Sequence, residues 1–176
     1  RIAELEQELR DVSGLVRTDP LTGALNRRGF DELVERELAR AGRHGHPLAL
    51  ALIDLDDFHQ TNTAHGHAGG DAVLRQLVAV CQLHLRSTDA IARIGGDEFV
   101  LLLPETPAAD SMSTLLRLQR SLAQRPLQLD DTRVPVHFSA GVAQWQAGEP
   151  VDALLRRADA ALYAAKRVGK NRVQAA

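Results

Sequence analysis

The run Arg93-Ile94-Gly95-Gly96-Asp97-Glu98-Phe99-Val100 constrains this chain more than any other segment. Apolar stretches flank it, Ala90 to Ile94 before and Phe99 to Leu103 after, the second stopped by Pro104. Both read as strands, so the glycine pair reads as a reversal between them. Gly95 and Gly96 can adopt positive φ, which suits a two-residue hairpin turn. Two glycines also leave the turn bare, so a large ligand can approach the backbone with the Asp97 and Glu98 carboxylates beside it. An ordinary hairpin with solvated acids is the plainer reading. At average residue usage, however, Gly95 to Phe99 would arise by chance in roughly one chain per ten thousand of this size, which favours a signature.

Composition narrows the classes. At 176 residues the chain suits one domain plus an appendage, and 44% hydrophobic residues suffice for a buried core. A formal charge of −2 supplies no electrostatic footprint for nucleic acid, so no nucleic-acid partner is expected. The single cysteine, Cys81, excludes an internal disulfide and reads as a small core residue beside Leu77, Val78 and Val80. No apolar run reaches the length of a membrane span and no signal peptide is visible. The chain opens on Arg1, which reads as a piece of something longer. The expectation is a cytoplasmic domain, compatible with a membrane-tethered full-length protein.

Ile2, Leu5, Leu9, Val12 and Val16 recur at heptad spacing with Glu4, Glu6, Gln7, Glu8 and Arg10 between them. This predicts an amphipathic helix over residues 1–17, either lying on its own domain or ending a parallel coiled coil. Asp19-Pro20-Leu21-Thr22-Gly23 breaks it and opens a domain over 18–176. Helices are predicted over Arg27 to Arg43, Gly69 to Arg86, Ala108 to Ala123 and Val151 to Val168. Leu48 to Ile53 reads as a central strand buried on both faces, and Val134 to Trp145 as a strand-rich segment. Strands alternate with helices but hairpins are present, so the fold class is an α/β (α+β) sandwich with a mixed central sheet.

The chemistry lies in charged residues at element ends. Asp54 terminates a buried strand and Asp97 follows a turn between two others. If those strands are neighbours, Asp54, Asp97 and Glu98 converge and repel without a counter-charge. A divalent cation, Mg²⁺ or Mn²⁺, resolves this with hard oxygen ligands. Taken alone, Asp54, Asp56 and Asp57 also fit an acidic turn. Lys166 and Lys170, four apart at a helix end, lie along one side of it, as phosphate donors or as a dipole-satisfying basic terminus.

The chain resembles the GGDEF domain of bacterial diguanylate cyclases. The likeness rests on Gly95-Gly96-Asp97-Glu98-Phe99, Asp19-Pro20-Leu21-Thr22-Gly23, Asn26-Arg27-Arg28 and Asp54-Leu55-Asp56. It extends to Gly66-His67, Gly70-Asp71 and the stretch from Ala158-Asp159 through Ala161-Leu162-Tyr163 to Lys166. The resemblance implies a nucleotidyl-cyclase or palm-like sheet and two metal ions per site, held by Asp54, Asp97, Glu98 and the Leu55 carbonyl. It assigns Glu98, with Asp97, to catalysis, Glu98 activating a 3′-hydroxyl. GTP would be held by Lys166 and Lys170 at the β- and γ-phosphates, by the backbone around Asp57 and Phe58, and at the bare turn of Gly95 and Gly96. Asn62 and Asp71 match the positions that bond guanine, whose N1 and N2 donors a carboxylate can accept. Arg86-Ser87-Thr88-Asp89 matches an inhibitory Arg-x-x-Asp site for the product, cyclic di-GMP, with Arg117 as a secondary contact. Partners implied are GTP, cyclic di-GMP, a second copy joined through the N-terminal coiled coil, and an upstream sensor domain.

Two positions depart from the family pattern. His59 stands where a lysine is usual, which removes a fixed positive charge and implies weaker turnover near neutral pH. Thr63 replaces an aspartate but can keep the turn through side-chain-to-backbone bonds. The expected function is Mg²⁺-dependent condensation of two GTP into cyclic di-GMP and two pyrophosphates by a homodimer. The alternative is a degenerate module that binds GTP or cyclic di-GMP and relays a signal.

Overall fold

The computed structural model describes Arg1 to Ala176. Five strands form one mixed sheet in the order β2-β3-β1-β6-β7. They are β1 (Leu48–Leu55), β2 (Ala90–Arg93), β3 (Glu98–Pro104), β6 (Phe138–Gln144) and β7 (Val173–Ala175). Only β6 and β7 run parallel; the other pairings are antiparallel. A separate hairpin joins β4 (Leu127–Leu129) to β5 (Thr132–Val134).

The central strands are apolar throughout because both faces are covered. Along β1, Ala49, Ala51, Ile53 and Leu55 face one core while Leu48, Leu50 and Leu52 face the other. The first core is closed by α3 (Phe58–His84) and α4 (Ala108–Ala123) through Leu74, Leu77, Leu115 and Leu118. The second is closed by α2 (Arg27–His44) and α5 (Val151–Val168) through Phe30, Val34, Leu154 and Leu162. The result is the three-layer α/β sandwich that the alternation of elements predicts. Cys81 is fully buried in the first core, and burial pushes its thiol up to about 12, so it stays protonated.

The tightest contact between layers is that of α5 on β6. A Cβ at Gly141 would stand 2.1 Å from the Ala158 carbonyl oxygen and 2.2 Å from the Leu162 nitrogen. Backbone cannot yield as a flexible side chain does. Gly141→Ala is expected to cost about 3 kcal/mol and to lower the melting temperature by roughly 6–12 °C, read by circular dichroism.

Three local expectations are corrected. First, the glycine turn is not a two-residue hairpin. Four residues, Ile94 to Asp97, separate β2 from β3, and both Ile94 and Gly95 donate to the Glu98 carbonyl at 3.0 and 3.3 Å. Neither glycine takes positive φ. A Cβ at Gly95 would meet Glu98 Oε2 at 3.0 Å and Glu98 Cβ at 3.2 Å, a close approach that the exposed Glu98 side chain can relieve, while Gly96 is open. Second, α3 begins at Phe58, well before Gly69, and bends at Gly66 (φ 71°). Polar residues hid this first stretch; Thr63 Oγ1 now donates to the His59 carbonyl at 3.0 Å within it. Third, β4, β5 and β7 are too short and polar to register as alternating strands.

The N-terminal helix α1 (Ile2–Leu15) contributes nothing to either core. Its stripe is open, with Ile2 76%, Leu9 71% and Val12 62% exposed. It therefore does not lie on its own domain.

Candidate active site

The ends of β1 and β3 bring the acidic residues together. Asp54 stands directly opposite Glu98 in the β1–β3 register, and the Leu55 N–H donates to the Asp97 carbonyl at 3.2 Å. Asp54 is largely buried, Asp97 half-buried and Glu98 exposed. Burial first, then the Asp54 carboxylate beside it and the Glu98 charge, hold the Asp97 carboxyl above the usual aspartate range. A carboxyl raised on folding stabilises the protein at low pH, and that contribution disappears as pH rises through the folded value. Asp97→Asn is therefore expected to melt roughly 2 °C higher than wild type at pH 7. The difference should shrink as pH falls toward 4, which a series of thermal melts reads directly.

The three carboxylates do not form a closed metal cage. Lys166, from the last turn of α5, donates its Nζ to Asp54 Oδ2 instead. Asp54 Oδ1 is buried without any hydrogen-bond partner. A buried, unpartnered carboxylate oxygen is costly unless something else binds it. The residues fit Mg²⁺ or Mn²⁺, which bind through one or two carboxylates plus phosphates rather than a protein cage.

Next to this lies a place for anions. Asp57, in the left-handed region (φ 59°), precedes α3 but does not cap it. Its Oδ1 accepts from Lys170 Nζ at 2.8 Å. The first N–H groups of α3, from Phe58 onward, thus face outward without a side-chain cap. Free helix-terminal amides beside two lysines attract phosphate.

The bend at Gly66 matters to the neighbouring pair, Asn62 and Asp71. Nine residues of unbroken helix turn through about two and a half revolutions, which would put them on opposite faces. With the bend, Asn62 folds back against Gly70, where a Cβ would meet Asn62 Oδ1 at 1.9 Å, next to Asp71. His59 lies exposed in the first turn of α3.

Motif reading missed one contact. Arg93 Nε and Nη2 donate to the Gly95 and Gly96 carbonyls at 2.8 to 3.2 Å, and Nη1 reaches Asp19 at 3.4 Å. Asp19 also accepts from the Thr22 N–H and hydroxyl. The helix-breaking segment and the glycine turn are thereby tied together. Arg93 stands just before the glycines in sequence, but only the fold places Asp19 against it.

Arg86, Asp89 and Arg117 line one pocket of about 250 Å³, away from the glycine turn. Arg86 holds Asp89 through the Nε and Nη2 edge of its guanidinium, at 3.3 and 3.1 Å, and Nη2 also donates to the Pro104 carbonyl and Thr106. The hydrogen bond to Asp89 raises the Arg86 pKa further above its ordinary value. Asp89 is almost wholly buried in the pair, while Arg86 keeps an exposed face.

The mixed sheet between helical layers carries carboxylates at the ends of β1 and β3, with Lys166 in the last turn of α5 and Lys170 in the left-handed loop after it, not along the side of the helix as its spacing predicted. The family model for the diguanylate cyclase GGDEF domain matches residues 16–172, and the chain belongs to that family. It is 38% identical, over its whole length, to diguanylate cyclase DgcP of Pseudomonas aeruginosa, and 36% identical over 89% of its length to DosC of Escherichia coli K12. It spans 27% and 34% of those curated relatives. Among solved structures, the coiled coil and GGDEF domain of Caulobacter crescentus DgcB in complex with c-di-GMP superposes with a TM-score of 0.87. That pair is 34% identical and covers 99% of this chain and 93% of the other. Pseudomonas aeruginosa SiaD, in complex with its activator SiaC, gives 0.88 at 36% identity, covering 99% of this chain and 68% of that one.

Proposed function

We propose that this domain condenses two molecules of GTP into cyclic di-GMP, one GTP bound per subunit of a homodimer. Each 3′-oxygen forms a bond to the partner nucleotide's α-phosphorus, the α–β bridging bond breaks, and pyrophosphate leaves. The observation that carries this reading is the unpartnered Asp54 Oδ1, buried opposite Glu98 with Lys166 and Lys170 alongside.

Asp54, Asp97, Glu98 and the Leu55 carbonyl are the residues that would hold Mg²⁺ or Mn²⁺. Bound there, such ions would supply positive charge against the negative charge that develops at the reacting phosphate. Glu98, exposed at the start of β3, takes the 3′-hydroxyl proton. Lys166, Lys170 and the amides after Asp57 hold the β- and γ-phosphates, while Gly95 and Gly96 let the nucleotide come close to the backbone. Asn62 and Asp71 read guanine; adenine would leave Asp71 without its donors, a strong discrimination. Rate enhancement then comes from positioning and electrostatics.

One domain holds half the reaction centre, so subunit orientation controls output. The open stripe of α1 supports a parallel coiled coil that sets it, as the end of a linker from an upstream sensor module. Arg86, Asp89 and Arg117 form the product site through which cyclic di-GMP inhibits. No helix is long and apolar enough to cross a membrane.

Incubation with GTP and Mg²⁺, followed by nucleotide chromatography, tests the reading. Cyclic di-GMP and pyrophosphate are expected from wild type, and a loss of at least about 10²-fold from Glu98→Gln, the scale of a general base. Tight GTP binding with no product would favour the signal-relaying module instead.

A further inference from the structure

We propose that Asp56 is a positioning residue for the nucleotide's triphosphate, because it locks the loop that presents Lys170. The inference rests on the GTP reading above and assigns the carboxylate that this reading leaves unused.

Gly169, Lys170 and Asn171 follow α5 with φ of 128°, 54° and 46°, three residues in succession with positive φ. Glycine tolerates this; a lysine and an asparagine hold it only where the surroundings over-determine the backbone. Asp56 supplies much of that constraint. Its Oδ2 accepts the Asn171 N–H at 2.7 Å. Ser139 Oγ lies 2.8 and 3.1 Å from the two Asp56 oxygens and donates to them. Ser139 is fully buried in β6, at the register position opposite Asp54. The Asp56 N–H donates to the His137 carbonyl at 2.9 Å. From the other side, Gln119 Nε2 of α4 reaches Asn171 Oδ1 at 3.4 Å and the Phe138 carbonyl at 3.0 Å.

Lys170, by contrast, is exposed, and its side chain touches only Asp57. Its own packing does not fix its direction; the loop does. Both Asp56 oxygens are engaged by the fold, whereas Asp54 keeps one free. The two acids therefore divide the work, Asp54 toward the ligand and Asp56 toward the backbone that aims a cation at it. Removing Asp56 leaves the Asn171 N–H without its acceptor. The left-handed loop then relaxes, and Lys170 loses its fixed aim.

Calorimetric titration with a GTP analogue that cannot cyclise, in Mg²⁺, tests this, with melting curves run on every variant. Asp56→Ala is expected to weaken binding about tenfold, since positioning of one charge–charge contact is lost. Asp56→Asn should restore most of the affinity, because its amide oxygen can still accept from Asn171. In a Lys170→Ala background, Asp56→Ala should add less than about twofold. Should Asp56→Ala not fold, Ser139→Ala with and without Lys170→Ala makes the same comparison. Equal weakening in both backgrounds, or unchanged affinity in folded Asp56→Ala, overturns the positioning role alone. No analogue binding by wild type removes the GTP reading and this inference with it.

Discussion

Asp54→Asn is expected to reduce cyclic di-GMP synthesis by about 10³-fold while leaving the domain folded. The substitution keeps the side chain's size and removes one charge. That charge sits at the centre of the site, opposite Glu98 and beside Asp97. A carboxylate serving bound cations at a reacting phosphate supplies several kcal/mol, and about 4 kcal/mol corresponds to roughly 10³ in rate. The fold should tolerate the change. The surrounding β1 residues are packed by their apolar side chains, so the cost is confined to the ion pair with Lys166, about 1–2 kcal/mol. Initial rates over a range of Mg²⁺ concentrations, with a thermal melt in parallel, check both halves. A folded Asp54→Asn with near wild-type rates at ordinary Mg²⁺ would falsify the assignment of this carboxylate.

Lys166→Met should move two quantities in opposite directions. In the nucleotide-free domain Lys166 neutralises Asp54 through Oδ2, so its positive charge opposes a metal ion approaching the free Oδ1. A partly buried pair of this kind is worth about 1–2 kcal/mol, so its removal should raise Mn²⁺ affinity without nucleotide about tenfold. In the proposed reaction the same lysine holds the phosphates. Its loss should lower turnover about 10²-fold, the scale for one donor aimed at developing charge. Mn²⁺ binding followed by electron paramagnetic resonance reads the first effect, and product formation the second. Under the proposed function Lys166 exchanges between two partners: it holds the acid while the cleft is empty and the phosphate once nucleotide arrives. Parallel loss of both metal affinity and turnover would mean that Lys166 supports the site only structurally.

That three acids converge was legible in the sequence. The Asp54, Asp97 and Glu98 triad followed from strand ends and a bare turn, and the register of β1 with β3 places Asp54 opposite Glu98. Periodicity located α4 and α5 at their observed limits, because their apolar faces meet one core each. The start of α3 was hidden, since its first turns are mostly polar and carry no apolar period. The glycine turn misled for a related reason. Glycine pairs suggest positive φ, yet neither Gly95 nor Gly96 adopts it.

The linear order of residues determined the elements, the two buried faces of β1 and the chemical types gathered at the strand ends, because periodicity and residue chemistry are local properties. Only the tertiary structure decided that Lys166 answers Asp54 across 112 positions, that Asn62 turns back on Gly70, and that Asp56 steadies the loop of Lys170. Those pairings depend on how α5, the bend at Gly66 and β6 pack in space. Distances between segments far apart in the chain are set by packing, which no local pattern encodes.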